Sequence, residues 1–369
     1  GTMRKVGLDD VQYFKPIIAG NCSALLTSAR LWTDEPLSMP VRAARLPAGK
    51  ELLMFQNSGG SSTAIDVDPA CGDLSVLTIG SSAGKKEQLL TVNWHLEKDC
   101  NYKCSFCYAH FNAVQQGLSK QDGLNLLSLI AAGPFYKVNF AGGEPLLNKH
   151  LGDYLRAAKE MGLKTSIITN ASRLTFGWLQ AHGRFIDQIG VSCDSLDDNI
   201  NKELGRGFGN HVAITKRAFE SVRELNESMG LEIKIKLNTV VMRPNYLEDW
   251  NDFIQSNGIQ RWKIFKILKI KGENDAVYDK LAIGDAEFEE FVARHAKLSA
   301  HEVVLAPETN DDMTSSYIMI TPDGKFYQNA DGKYDYSDSM LQIGVEAALR
   351  QVGFDYTKFQ KRGGEYKLD

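Results

Sequence analysis

The chain has 369 residues, 43% hydrophobic and 24% charged, enough to bury one large core or two smaller ones. Its formal net charge of -4 argues against a generic nucleic-acid binder, so any anion site must be a local concentration of Lys and Arg. No apolar run approaches the ~20 residues of a membrane-spanning helix, no signal peptide is visible, and Gly1-Thr2-Met3 reads as an expression scar before a native methionine.

Residues 1–85 read as an N-terminal extension. Pro16, Pro36, Pro40 and Pro47 punctuate short apolar stretches, 57–63 is a Gly/Ser turn and 80–86 a connector. The segment is either a small β-rich accessory unit or a variable N-terminus, and it carries no chemical motif. From residue 89 apolar strands alternate with amphipathic helices. The pattern predicts strands at 89–96, 136–140, 164–169, 186–192, 231–240 and 262–270, with helices at 119–132, 150–161, 174–182, 210–229 and 246–256. Strands joined by helical crossovers imply a parallel sheet. Curled partway round, it gives an α/β fold, a partial (β/α)6 barrel over 86–285 whose strand carboxyl ends form the active face. A C-terminal extension, 286–369, follows and is expected to close the barrel over its ligand. It reads as a helix near 286–298, a Pro322-Asp323-Gly324 turn between strands, a helix near 339–351 and a tail at 361–366.

Six cysteines are present, at 22, 71, 100, 104, 107 and 193. Cys100, Cys104 and Cys107 stand at i, i+4 and i+7 directly after the first strand. Three thiolates on a four-iron cluster leave one iron open, which points to catalysis. The same spacing also fits three core cysteines on one helix face, or a zinc site completed by His95 or His110. A cluster needs reduced thiols, which places the protein in the cytoplasm. The strand 136–140 runs into Ala141-Gly142-Gly143-Glu144-Pro145, where glycines admit a ligand to the backbone and Glu144 offers a carboxylate. Alternation puts Lys137 and Asn139 on one face of their strand, Lys236 and Asn238 on one face of theirs, and Lys263 beside Phe265. Such ammoniums inside a covered sheet call for an anion. Arg206, in Gly205-Arg206-Gly207-Phe208-Gly209, adds a forked donor suited to phosphate. Lysines reaching solvent at strand ends are the plainer alternative.

CxxxCxxC followed by a strand and GGEP resembles the radical S-adenosylmethionine (SAM) superfamily. The resemblance implies a [4Fe–4S] cluster on Cys100, Cys104 and Cys107. It implies SAM contacts from Phe106, Gly142, Gly143, Glu144, Asn170, Ser192 and Asp194. The runs CNYKCSFC, KVNFAGGEP, VSCDS, GRG, KLNTV, RWKIFKILKIKGEN, APETN and KRGG resemble the viperin-like enzymes, over about residues 89–369. That implies dehydration of a nucleoside triphosphate in antiviral defence. A 5′-deoxyadenosyl radical would abstract the ribose C4′ hydrogen, and the product would be a 3′-deoxy-3′,4′-didehydro nucleotide from CTP or UTP, with GTP an alternative. By the same match Lys137, Arg206, Lys236 and Lys263 contact the triphosphate, and Asn93, Asn139 and Asn238 line the nucleotide pocket. Tyr317 takes part in the final reduction, while Glu308, Asn310 and the Arg362 tail fold over the substrate. A one-electron donor such as flavodoxin or ferredoxin and a monomeric state are expected, with neither membrane nor nucleic acid as partner. Another radical SAM enzyme acting on a phosphorylated substrate and a zinc-stabilised nucleotide-binding module are the rivals. The absence of any cysteine after Cys193 counts against relatives that carry an auxiliary cluster.

Overall fold

The computed structural model describes residues 90–368 and the backbone of five strands nearer the amino terminus. The chain divides into two units, Gly1–Glu87 and Gln88–Asp369. In the first, β1 (Arg4–Gly7), β2 (Arg42–Arg45), β3 (Glu51–Gln56), β4 (Ser62–Val67) and β5 (Asp73–Ile79) form an antiparallel sheet of order β1-β5-β4-β3-β2. The connector at 80–86, most of the 57–63 turn, Cys22 and Cys71 lie outside the described residues.

The second unit begins with β6 (Leu90–Glu97), α1 (Lys120–Ala132), β7 (Phe135–Gly142), α2 (Leu151–Glu160), β8 (Lys164–Thr169), α3 (Phe176–His182) and β9 (Gln188–Ser192). It continues with α4 (Asp198–Glu203), α5 (His211–Met229), β10 (Lys234–Val241), α6 (Asn251–Ser256) and β11 (Arg261–Lys266). Three of these helices start where polar side chains take up free N–H groups: Ser119 accepts from Asp122 N at 3.2 Å, Thr175 from Trp178 N at 3.2 Å and Asp197 from Asn199 N at 2.8 Å. All six expected strands are present. The last ends at Lys266 rather than 270, and the helix expected at 246–256 begins only at Asn251.

The remainder comprises α7 (Asp275–Leu281), α8 (Asp285–Arg294), β12 (Val304–Glu308), α9 (Asn310–Met313), β13 (Ile318–Ile320), β14 (Lys325–Gln328), β15 (Asp335–Ser339), α10 (Met340–Ile343), α11 (Val345–Val352) and α12 (Tyr356–Lys361). The single helix expected at 339–351 is two, because Gly344 takes φ 78° between them. The turn at 322–324 does join two strands, with Gly324 at φ 80° and its N–H on Thr321 O.

Ten strands form one sheet of order β12-β11-β10-β9-β8-β7-β6-β13-β14-β15. The ladder is parallel from β12 through β13 and antiparallel from β13 through β15. The C-terminal segment therefore lengthens both edges of the sheet, and no backbone ladder joins β12 to β13 or β15. Laid flat, the seven steps from β12 to β13 would span about 34 Å. Yet the Tyr317 hydroxyl, beside β13, bonds to the Glu308 carboxylate at the end of β12. The sheet is thus curled, with a seam bridged by side chains.

The outward face is apolar: Val92, Trp94, Val138, Phe140, Ile235, Leu237, Trp262 and Ile264 pack into one core with the helices. The inward residues of the same strands are Asn93, His95, Lys137, Asn139, Lys236, Asn238 and Lys263. Trp262 anchors this core, its ring 5.7 Å from Trp250 and 5.7 Å from Phe291 and its indole N–H on Thr239 Oγ1 at 2.9 Å. Replacing it with alanine should cost about 3–5 kcal/mol in urea unfolding. A loss under about 1 kcal/mol would show that the α6–α8 layer is not held on the sheet through this ring.

Candidate active site

The cysteine loop starts where β6 ends. Gly143 N donates to Glu97 O at 2.5 Å and Glu144 N to Asp99 O at 2.9 Å, so the turn after β7 fixes the start of the loop. A Cβ on Gly143 would stand 2.2 Å from Asp99 O, which is why the approach needs glycine. On its other side the loop is held by Lys103 N on Gly205 O (3.1 Å) and Ser105 N on Leu204 O (2.9 Å). Gly205 has φ +79°, and a Cβ there would lie 2.1 Å from Lys103 O.

Cys100, Cys104 and Cys107 all line one cavity of ≈ 410 Å³. Burial raises all three thiols, Cys104 to about 12, and the Arg206 guanidinium opposes that rise at each. Neutral thiols are the resting state of such a pocket; a coordinated metal is what deprotonates them. Backbone N–H groups already point at sulfur, Tyr102 N at Cys100 Sγ (3.4 Å) and Ala109 N at Cys107 Sγ (3.4 Å). Among the described residues no three His, Cys, Asp or Glu side chains converge as a single ion requires. A four-iron cluster instead takes each thiolate on a separate iron, and these donors fit it.

The residues matched to SAM contacts surround this end. Phe106 is buried, its ring 5.5 Å from the Arg206 guanidinium, and Gly142, Gly143, Asn170, Ser192 and Asp194 line the cavity. Asn170 Nδ2 donates to Asn101 Oδ1 at 3.0 Å and faces Cys100 Sγ at 3.8 Å. Glu144 stands behind the wall and does not line the cavity. Its oxygens accept from Thr169 Oγ1 (2.6 Å), Leu146 N (3.1 Å) and Asn170 N (2.8 Å), ordering β7 and β8 against each other. Burial lifts its pKa against those bonds. Arg206, grouped from sequence with the lysines, sits at the cysteine end, its Nε 2.6 Å from Asp194 Oδ2.

The opposite end is basic. Lys137, Lys236 and Lys263 are 1%, 2% and 8% exposed, and burial draws each down to about 7. Their compensation differs. Lys263 Nζ lies 2.5 Å from Glu308 Oε1 and 2.5 Å from the Tyr317 hydroxyl. Arg362 reaches the same Glu308 oxygen at 3.4 Å and lies 3.7 Å from the Tyr317 ring centre. Those two cations hold the buried Glu308 carboxyl below its usual range despite desolvation. Lys137 donates to the Tyr366 hydroxyl at 2.5 Å. Lys236 has neither a hydrogen-bond partner nor a carboxylate partner among the described residues. Lys236, Lys263, Tyr317, Asn93, Asn139 and Asn238 line the cavity; Lys137, Glu308 and Arg362 lie just behind it. Asn139 Nδ2 donates to Asn93 Oδ1 at 2.8 Å, while the side-chain Oδ1 atoms of Asn139 and Asn238 are buried without a donor. Asn310 begins α9, and its side-chain Oδ1 is also unpaired.

Arg261 and Tyr366 are not singled out in the sequence, and His95 enters there only as a possible zinc ligand. Arg261 shares the face of Lys263, and the alternation would have shown it had the strand been started one residue earlier. His95 lines the cavity next to Asn93's face, neutral because burial lowers it to about 3, with Nδ1 unpartnered. Tyr366 carries no local signal at all.

Residues 98–256 match the family model of the radical SAM superfamily. A protein of Flammeovirga pacifica named S-adenosylmethionine-dependent nucleotide dehydratase is 36% identical over 283 residues, 75% of this chain and 95% of that one. One of the same name from Lacinutrix mariniflava is 37% identical over 321 residues, 85% of this chain and 66% of its own. The S-adenosylmethionine-dependent nucleotide dehydratase RSAD2 of Oncorhynchus mykiss is 32% identical over 287 residues, 75% of this chain and 80% of that one. Among solved structures, Streptococcus suis SuiB bound to S-adenosylmethionine superposes with TM-score 0.51 at 19% identity, over 65% of this chain and 60% of that one. Native anSMEcpe with bound AdoMet gives 0.52 at 13%, over 74% and 82%. At such identities these two speak for the fold alone.

Two measurements test the two ends. Gly205→Ala should lower the iron and sulfide bound after anaerobic reconstitution while the far-UV circular dichroism is kept; full loading would mean that Gly205 does not set the cysteine loop. At the basic end, an anion raises the lysine pKa values, so polyphosphate binding at pH 8 should take up protons and weaken as pH climbs from 7 to 9. Stability should move the other way, since unfolded lysine titrates near 10.4 and binds more protons than the native ammoniums above pH 7. Calorimetry in buffers of different ionisation enthalpy reads the first, urea midpoints the second. Binding with no proton uptake would show that these lysines are fully charged beforehand.

Proposed function

The chain belongs to the S-adenosylmethionine-dependent nucleotide dehydratases of the radical SAM superfamily, and on that premise we propose that it removes water from the ribose of a nucleoside triphosphate, giving a 3′-deoxy-3′,4′-didehydro nucleotide in antiviral defence. CTP and UTP are the substrates proposed first, with GTP the alternative. One observation carries the reading: a single cavity has three thiols at one end and buried lysines at the other.

Cys100, Cys104 and Cys107 would hold a [4Fe–4S] cluster, which together with SAM would supply the radical chemistry needed at the ribose C4′ hydrogen. The rest is positioning by this chain's own groups. Lys236 and Lys263 hold phosphate oxygens from the cavity wall, with Lys137 behind them. Lys236 is the strongest site, because no carboxylate among the described residues competes for it. The unspent side-chain oxygens of Asn139 and Asn238 orient the nucleoside by accepting its hydroxyl or amino protons. Asp194 fixes Arg206 beside the thiols, where its charge offsets the negative cluster. Gly142 and Gly143 leave room for SAM, while Phe106, Asn170 and Ser192 face it from neighbouring loops.

Tyr317 keeps its proton: burial holds the phenol well above its usual range, and its hydroxyl donates to Glu308. It is thereby poised to give that proton, with an electron, at the end of the reaction, while Glu308 and Arg362 fix its ring. The low-dielectric wall keeps water from the reactive centre. A small one-electron donor of the flavodoxin or ferredoxin kind completes the cycle. Among the described residues no helix is long and apolar enough to cross a membrane.

Reduced, reconstituted enzyme with SAM should convert at least one of CTP, UTP, GTP and ATP to a product lighter by one water in mass spectrometry, alongside 5′-deoxyadenosine. Cleavage of SAM with none of the four altered would sink the nucleotide reading. Lys236→Ala should weaken binding of the accepted nucleotide about tenfold or more, the scale of a charge-assisted contact. Its iron content should match wild type, and unchanged affinity would remove Lys236 from the phosphate site.

A further inference from the structure

The tail after α12 turns back across the amino ends of the inner strands, where Tyr366 contacts three of them. The Tyr366 ring lies between two cations, with Lys137 Nζ 4.0 Å and the Arg261 guanidinium 4.1 Å from its centre. Its hydroxyl accepts from Lys137 at 2.5 Å and donates to Gln188 Oε1 at 3.1 Å. Lys137, Gln188 and Arg261 lie at the starts of β7, β9 and β11, so one side chain reaches three strands of the curl. Both flanks are tied down: Arg261 Nη2 donates to Gly363 O at 3.2 Å, and Leu368 N donates to the Tyr136 hydroxyl at 3.0 Å.

We infer that Tyr366 is the floor of the anion site and limits the number of phosphates it accepts. This rests on the triphosphate reading above and gives it a length. Lys236 and Lys263 line the cavity, whereas Lys137, equally buried, does not; it and the phenol bonded to it lie behind that wall. Arg261 pairs in register with Lys236 yet is also turned onto the Tyr366 ring. An anionic chain descending from the cysteine end therefore meets two open ammoniums and then the phenol. A terminal phosphate that reaches the hydroxyl takes its hydrogen bond in place of Gln188, beside the Lys137 charge. A shorter chain stops among Lys236 and Lys263 and gains nothing from it. A longer one meets the ring.

The test is calorimetry on the full chain with inorganic pyrophosphate, tripolyphosphate and tetrapolyphosphate, repeated with CDP and CTP. Wild type should prefer tripolyphosphate over pyrophosphate by about tenfold, one charge-assisted contact, and reject tetrapolyphosphate. Tyr366→Ala should bring the tri- to pyrophosphate ratio below about threefold and admit tetrapolyphosphate. Tyr366→Phe keeps the ring but not the hydroxyl, so it should still exclude tetrapolyphosphate while losing part of the preference. Because Phe preserves the packing, a fold defect confined to the alanine variant does not blur the outcome. An unchanged ratio in Tyr366→Ala, no length preference in wild type, or no polyphosphate binding at all would each overturn the floor. If the ratios shift as expected but no nucleotide loses water, the dehydratase reading fails and the floor stands.

Discussion

Positive charge buried inside a curled sheet is the constraint around which the rest of this unit is arranged. Lys137, Lys236 and Lys263 come from β7, β10 and β11, and the opposite face of each strand is committed to the helix-covered core. A lysine there cannot escape by flipping, because a one-residue slip would put Trp262 or Val138 into the cavity. Desolvating an ammonium costs several kcal/mol unless something answers it. Each of the three is answered differently: a phenol for Lys137, a carboxylate for Lys263, and for Lys236 no hydrogen bond or carboxylate among the described residues. The C-terminal segment supplies the first two answers, through Tyr366 and Glu308. Its strands and tail are therefore part of the electrostatics of the inner face as well as extensions of the sheet.

The cavity is polar in opposite senses at its ends. Near the thiols, Arg206 is bound to Asp194, leaving a compact pair whose cation opposes the burial effect on all three cysteines. At the lysine end, cations outnumber the single buried carboxylate, Glu308. Between them the wall carries the uncharged amides Asn93, Asn139 and Asn238, and the side-chain oxygens of the last two are unspent acceptors. A ligand with an anionic end and a neutral hydrogen-bonding body matches that gradient. A uniformly charged or uniformly apolar ligand does not, because one end of the cavity would be left unpaired.

What was legible in the sequence follows the period of the structure. In β7, β10 and β11 the strand period of two separates Lys from Val, Leu and Trp, so the inward face could be read directly. The cysteine spacing and the two glycines after β7 were equally plain, since close backbone approach leaves a compositional mark. β12 left none: it is five residues long and contains Pro307, tolerated because its free side faces the edge of the sheet. Arg206 was identified as a cation in a glycine loop, but only the fold shows that the loop returns to the cysteines rather than to the lysines. Tyr366 acts through contacts with residues 229, 178 and 105 positions earlier in the chain, and no periodicity encodes such distances.

The seam between β12 and β13 follows from the same electrostatics. Neighbouring strands elsewhere in this sheet are joined by backbone ladders, which depend little on pH or ligand. Here Glu308, Tyr317, Lys263 and Arg362 bridge the gap instead. A phosphate arriving at Lys263 competes with Glu308 for the same ammonium, so its gain is the difference between two ion pairs. At Lys236 no carboxylate among the described residues is a rival, and no ion pair has to be given up. Anion binding is therefore expected to begin at Lys236 and to draw on Lys263 only by loosening its hold on Glu308. Because Tyr317 donates to that carboxylate, the environment of its hydroxyl then changes with occupancy of the cavity. The sheet's one side-chain seam is thus also where ligand charge and the phenolic proton are coupled.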